Sequence, residues 1–237
     1  MTARTAIVTG ATSGVGRQVA VQLARSGYQV VLAARRATEL NQTVQLVHEA
    51  NPDAACLAQA ADVCEPAACH RVVQSAEAKF GSIDALANVA GYALLSSIDQ
   101  ITDNVWRTIV DTNLTAAIHL TAAVWPLFKR QRSGCLVNVS SMASIDPFAG
   151  FAMYAAAKAG LNMFTRCAAQ EGEAFGVKVV CLAPGAIETP MLRSLFDEKT
   201  IRPARTLDPA DVAAKICQYI TGQQTFVSGA TIPMPSP

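Results

Sequence analysis

The sequence predicts an α/β fold: a doubly wound parallel sheet of about seven strands with helices on both faces, in a single domain spanning residues 1–237. Three observations predict it. Short runs of Val, Ile, Leu and Ala alternate with longer amphipathic stretches, strand then helix, six times over. A glycine-rich turn joins the first strand to the first helix. No linker or low-complexity stretch interrupts the alternation, so no second domain is expected.

Composition bounds the reading further. Hydrophobic residues make up 51% and charged residues 16% of the chain, enough for a large core and too apolar for disorder. The formal net charge is +1, with Lys and Arg scattered, so neither nucleic acid nor a membrane surface is an expected partner. No apolar run approaches the roughly 18 residues of a membrane-spanning helix. Met1 to Thr5 lead straight into an apolar run and leave no room for a signal peptide. The seven cysteines form no CxxC pair, which points to reduced thiols and a cytoplasmic setting. Cys64, Cys69 and His70 lack a fourth ligand at suitable spacing, and His48 and His119 have no partner pattern, so no metal is expected.

The elements follow in order. Residues 5–9 read as a buried strand. Gly10, Gly14 and Gly16 come next, and 17–26 is helical by periodicity, with Gly27 as its stop. In this setting glycines let backbone approach a pyrophosphate, and the helix N-terminus offers free N–H groups. Gly10, Ser13, Gly14, Val15 and Gly16 are therefore candidate dinucleotide contacts. A second strand, 29–33, ends in Ala34-Arg35-Arg36. An acidic residue about 20 positions after the glycines would hold the ribose hydroxyls of NAD. Arg35 and Arg36 occupy that place instead, and an arginine takes a 2′-phosphate bidentately. NADP(H) is favoured over NAD(H).

A helix over 38–51, a strand over 54–61 ending at Asp62-Val63 and a helix over 66–80 follow. The strand 83–88 ends in Asn88-Val89-Ala90-Gly91, small residues that leave ligand space at a strand's carboxyl end. A long helix runs from about 102 to about 132, and Pro126 is expected to kink it or split off its last turns. Asn113 falls inside it, either facing solvent or marking a local kink with a polar role. The strand 135–139 ends at Ser140-Ser141. A helix over 151–175 carries Tyr154 and Lys158, four apart and so on one face. A nearby ammonium favours the phenolate and is expected to lower the tyrosine pKa from its ordinary value of about 10. A strand over 177–183 ends at Pro184-Gly185. Residues 187–205, interrupted by prolines, read as a short-helix excursion and candidate lid. A helix over 209–221 and a strand over 225–232 complete the chain.

Together these residues resemble the short-chain dehydrogenase/reductase family, over nearly the whole chain and in order. Thr9-Gly10-x-x-x-Gly14-x-Gly16 resembles its cofactor turn, and Asn88-Val89-Ala90-Gly91 its N-N-A-G element. Ser141, 13 residues before Tyr154, resembles the catalytic serine more than Ser140 does. Pro184-Gly185-x-Ile187-x-Thr189 resembles the nicotinamide-facing segment, and Ala34-Arg35 the compact NADP-preferring branch. The resemblance implies a Rossmann-like fold and a catalytic tetrad of Asn113, Ser141, Tyr154 and Lys158. It implies cofactor contacts from Asp62 and Val63, from Asn88, Ala90 and Gly91, and from Pro184, Gly185, Ile187 and Thr189. Tyr154 and Lys158 would also touch cofactor, Lys158 through the nicotinamide ribose, and Asn113 would hold a proton-relaying water. It further implies a homodimer or homotetramer built on helices 103–132 and 151–175. Val89 stands where the family has a second Asn, and the tail lacks the common Asp-Gly-Gly.

The implied activity is hydride transfer between nicotinamide and a ketone, aldehyde or secondary alcohol. Ser141, Tyr154, Phe148 and Met191 are expected to meet the substrate. Tyr92, Leu94, Leu95, Phe151, Leu192, Leu195 and Phe196 are further candidates for an apolar wall. A 3-oxoacyl-thioester reductase and a non-catalytic NADP-binding sensor or scaffold are the alternatives.

Overall fold

A computed structural model describes residues 3–237. Seven strands form one parallel sheet in the order β3-β2-β1-β4-β5-β6-β7. The strands are β1 Thr5–Thr9, β2 Gln29–Ala34, β3 Cys56–Ala60, β4 Ala85–Asn88, β5 Gly134–Val139, β6 Val177–Pro184 and β7 Thr231–Met234. The helices are α1 Gly14–Arg25, α2 Ala37–Ala50, α3 Pro66–Phe80, α4 Asp103–Val110, α5 Ala116–Gln131, α6 Ala152–Glu173, α7 Pro190–Leu195 and α8 Pro209–Thr221. The order reverses between β1 and β4, and a crevice opens at the strand ends there.

Alternation along each strand builds two cores. On β1, Ala6 and Val8 face α1, α2 and α8, packing with Val19, Leu23, Leu40 and Ile216. Ile7 faces the other way, toward α3, α5 and α6, with Val72, Leu120, Val124 and Phe128. The central strands are buried on both faces, which is why they read as continuous apolar runs rather than alternating ones.

Three expectations need correction. Helix α1 begins at Gly14, three residues before the predicted start at Arg17, so the last two glycines of the turn are helical. Pro126 does not break α5, which runs on to Gln131. Pro126 and Ala122, whose carbonyl it leaves without an intrahelical donor, both lie on the solvent-exposed side of α5. The break in the long helix lies earlier, in a π turn at Asp111–Thr115 where the Ala116 N–H reaches the Asp111 carbonyl, five residues back. The last strand is Thr231–Met234 rather than 225–232, because the chain turns at Gly229, with φ +88°, before it meets β6.

The glycine turn is held by space as much as by conformation. Gly10 has φ +66°, and a Cβ there would lie 3.0 Å from the Ala90 backbone. A Cβ on Gly16 would lie 2.7 Å from the Gly10 carbonyl carbon. Backbone cannot yield as a side chain end can, so Gly16→Ala should destabilise the protein by more than about 3 kcal/mol. Gly27, with φ +80° and nothing within 4 Å of its Cβ direction, sets the reference: Gly27→Ala should cost about 1 kcal/mol, from conformation alone. Urea unfolding of the two variants compares them; equal losses would contradict the steric argument.

Candidate active site

The crevice is a cavity of about 640 Å³ over the ends of β1, β2, β4, β5 and β6. At one end lie Gly10, Ser13, Gly14, Val15 and Gly16, with Arg35, Arg36, Asp62 and Val63 beside them. Arg36 donates to Thr12 Oγ1 at 3.0 Å and pairs with Glu39 at 3.3 Å, which draws it toward the turn. Arg35 lines the same cavity with no hydrogen bond or ion pair among the described residues. Asp62 accepts from the Cys64 N–H at 3.0 Å, fixing the loop after β3. Ala90, Gly91, Pro184, Gly185, Ile187 and Thr189 continue the lining.

Asn88 does not reach it. The end of β4 turns this side chain inward, where Nδ2 donates to Asn138 Oδ1 on β5 at 2.9 Å. Asn138 in turn donates to Thr165 on α6 at 2.9 Å. Asn88 therefore ties sheet to helix, behind the wall rather than in it.

Helix α6 presents Tyr154 and Lys158 to the cavity, both buried, at 7% and 3% exposure. The Lys158 ammonium donates to the Val139 carbonyl at 2.8 Å and lies 5.7 Å from the Tyr154 ring centre. Burial dominates both groups: it pushes the phenol up to about 12 and the ammonium down to about 8. The Ser141 hydroxyl draws the phenol back only in part. The direction is opposite to the expected lowering: withdrawal from water prevails, and Lys158 makes no hydrogen bond to the phenol in the protein alone.

The two serines after β5 divide their work. Ser140 donates to the Lys158 carbonyl at 3.1 Å, pinning the loop to α6. Ser141 Oγ accepts the Ala143 N–H at 3.1 Å, which orients it and leaves its own proton for an acceptor in the cavity. Asn113 lies one layer back, 1% exposed, at the π turn. Its Nδ2 donates to the Tyr92 and Ile109 carbonyls at 2.6 and 2.8 Å, and its Oδ1 accepts the Tyr92 N–H at 3.2 Å. The bond to Ile109 occupies a carbonyl that a regular helix would use, so the side chain inserts into the ladder. Of the two readings open for Asn113, the local kink with a polar role is the one observed.

Beyond Tyr154 the wall is aromatic. Phe148 stacks on Phe151 with centroids 4.5 Å apart, Phe151 meets Tyr154 edge-on at 5.2 Å, and Phe196 closes on Phe148 at 6.2 Å. Met191, Leu192, Leu195 and Ile201 come from the excursion after β6. Its base is clasped: Arg193 donates to both carboxylate oxygens of Glu188 and to the Ile201 carbonyl, the last at 2.8 Å. The pair holds the Glu188 carboxyl below its usual range. Tyr92, Leu94 and Leu95 do not line the cavity; Leu95 packs toward Gly150 and Leu94 into the core beneath α6.

Ser236 was not foreseen. The tail crosses Gly185, whose N–H donates to the Met234 carbonyl at 2.9 Å, and brings Ser236 into the lining. Arg205 fastens it by donating to the Pro237 carbonyl at 2.7 Å. Nothing in the local sequence distinguishes this serine, since its place depends on contacts with residues 185 and 205. No cluster of metal-ligating side chains occurs among the described residues. None of their helices is long and apolar enough to cross a membrane.

A cradle emptied of side chains beside a helix start, two arginines and a buried phenol–ammonium pair suit a nicotinamide dinucleotide. The comparisons with known proteins agree. The family model described as short chain dehydrogenase matches residues 4–200. The chain belongs to that family, and it is an NAD(P)-dependent oxidoreductase. The 3-oxoacyl-[acyl-carrier-protein] reductase of Vibrio cholerae is 30% identical, covering 97% of this chain and 94% of its own. The crystal structure of levodione reductase superposes with a TM-score of 0.92 at 28% identity, covering 98% and 96% of the two chains. A variant actinorhodin polyketide ketoreductase, solved with NADPH, gives 0.90 at 26%, covering 98% and 95%.

The buried ammonium yields a test. Holding Lys158 charged costs the fold about 3 kcal/mol, from a pKa of about 8 against 10.5 in the unfolded chain. Between those values the unfolded chain binds more protons, so this cost fades as pH rises through the window. Lys158→Met should therefore gain stability relative to wild type at pH 7, and the gain should shrink by pH 10. Melting curves of both proteins at the two pH values measure it; a pH-independent difference would count against a buried charge.

Proposed function

We propose that this protein is an NADP(H)-dependent carbonyl reductase in which Tyr154 is the proton donor. The observation that carries the reading is Tyr154 buried at the cavity wall, with Ser141 beside it and Lys158 one turn on. The bound cofactor supplies hydride chemistry at its nicotinamide. The chain supplies the rest. Tyr154 gives its proton to the carbonyl oxygen as negative charge builds there, and Ser141 donates a hydrogen bond to the same oxygen. Burial pushes the phenol up, so Tyr154 carries the proton that reduction requires of it at neutral pH. The Lys158 ammonium offsets the negative charge left on the Tyr154 oxygen as its proton departs, and binds the ribose. Asn113 clamps the Gly91-Tyr92 turn, which sets the floor beneath the reacting groups.

Arg35 and Arg36 favour the 2′-phosphate of NADP, Arg35 with its guanidinium uncommitted. The excursion at 187–205 serves as the substrate loop of one catalytic domain. The seven unpaired cysteines fit a cytoplasmic setting. Trp106 on α4 and Met163 on α6 are exposed apolar groups on the segments expected to pair subunits, and a homodimer or homotetramer would cover them. The similarity to the Vibrio cholerae reductase supports a second reading, reduction of a 3-oxoacyl thioester.

Two measurements test the proposal. Tyr154→Phe should bind NADPH as wild type does and lose about 10²- to 10⁴-fold in kcat; near-normal turnover would remove Tyr154 from its role. Arg35→Ala should lower the preference for NADPH over NADH, read as the ratio of Kd values, by about tenfold. An unchanged ratio would move phosphate recognition elsewhere.

A further inference from the structure

The cavity has two unlike ends. The dinucleotide end is backbone, Arg35, Arg36 and Asp62. The other end is a platform of rings. Phe148 is 51% exposed yet stacked on Phe151 at 4.5 Å, so a large apolar face is held flat and open to whatever enters. Phe196 flanks it at 6.2 Å from Phe148 and 6.3 Å from Phe151. The segment that carries Ser141 and Phe148 to the cavity also brings Asp146, an acid, into its lining.

We infer that the substrate is a carbonyl compound bearing an aromatic or fused-ring group, not an acyl thioester on an anionic carrier. The inference rests on the carbonyl-reductase reading and chooses between its two substrate classes. A planar ring finds stacking and edge contacts on Phe148 and Phe151 that a saturated chain does not. A coenzyme or carrier arm brings phosphate, which calls for uncommitted Lys or Arg at the mouth. Three of the cations near this end are committed. Lys158 is buried on Val139, Arg193 is bound by Glu188, and Arg205 holds the tail. Lys199 and Arg202 share their loop with Asp197 and Glu198 and do not line the cavity. Asp146 would repel a phosphate.

The test uses the full-length protein saturated with NADP⁺ for calorimetric binding, and NADPH oxidation for turnover. The probes are 2-tetralone, its saturated counterpart 2-decalone, and acetoacetyl-CoA. 2-Tetralone should bind about fivefold more tightly than 2-decalone, and Phe148→Leu should erase most of that margin. Acetoacetyl-CoA should have the lowest kcat/KM of the three, and Asp146→Lys should raise it. A higher kcat/KM for acetoacetyl-CoA than for 2-tetralone overturns the substrate class while leaving the reductase reading intact. So does a tetralone margin that survives Phe148→Leu, or no binding of either ketone. Phe148-dependent ketone binding without any NADPH oxidation has the opposite meaning: the ring platform stands and the reductase reading falls.

Discussion

One buried ammonium organises this molecule. Lys158 sits at 3% exposure with a single hydrogen-bonding acceptor among the described residues, the carbonyl of Val139. An isolated charge in such a place is expensive, and proteins keep one only where its surroundings are fixed. Those surroundings are fixed here by contacts that cross between elements. Ser140 ties the end of β5 to the Lys158 carbonyl, and Ser144 accepts from Asn162 a turn further along α6. Asn138 and Thr165 join the same strand to the same helix. Strand and helix cannot slide without exposing or stranding the charge, and Tyr154 inherits that rigidity.

Much of this was legible in the sequence. The strand–helix alternation gives the doubly wound sheet, and the glycine spacing marks the turn between β1 and α1. What stayed illegible depends on contacts distant in the chain or on competing energies. Gly10 and Gly16 read as phosphate-facing glycines, but each is also required by backbone a few ångströms away. Asn88 looked like a wall residue because its neighbours are; the pleat turns it inward to Asn138. Tyr92, Leu94 and Leu95 had the right chemistry for a substrate wall, and the path of the chain after Gly91 takes them elsewhere. The mutual effect of Tyr154 and Lys158 was read from charge alone, whereas burial opposes it and prevails.

The excursion after β6 and the C-terminal tail are connected. The excursion after β6 is clasped at its base by Glu188, Arg193 and Thr206, and its far end holds the tail through Arg205. The tail in turn bonds Gly185, at the end of β6. The substrate side of the cavity and the strand end where the excursion begins thus form a closed loop of contacts, so the excursion moves only by releasing one of these links.

The π turn at Asp111–Thr115 has a consequence for how this site could vary. It holds one more residue than a regular helical turn would, and that residue is what lets Asn113 face Tyr92 while α4 and α5 each keep their own packing. A point substitution on its outer side changes a surface. Loss of that single residue would let the helix run on regularly with α4 and α5 still in phase, and would remove the wide turn that aims Asn113 at Tyr92. The length of this segment, more than the identity of its outer residues, therefore decides where Asn113 points.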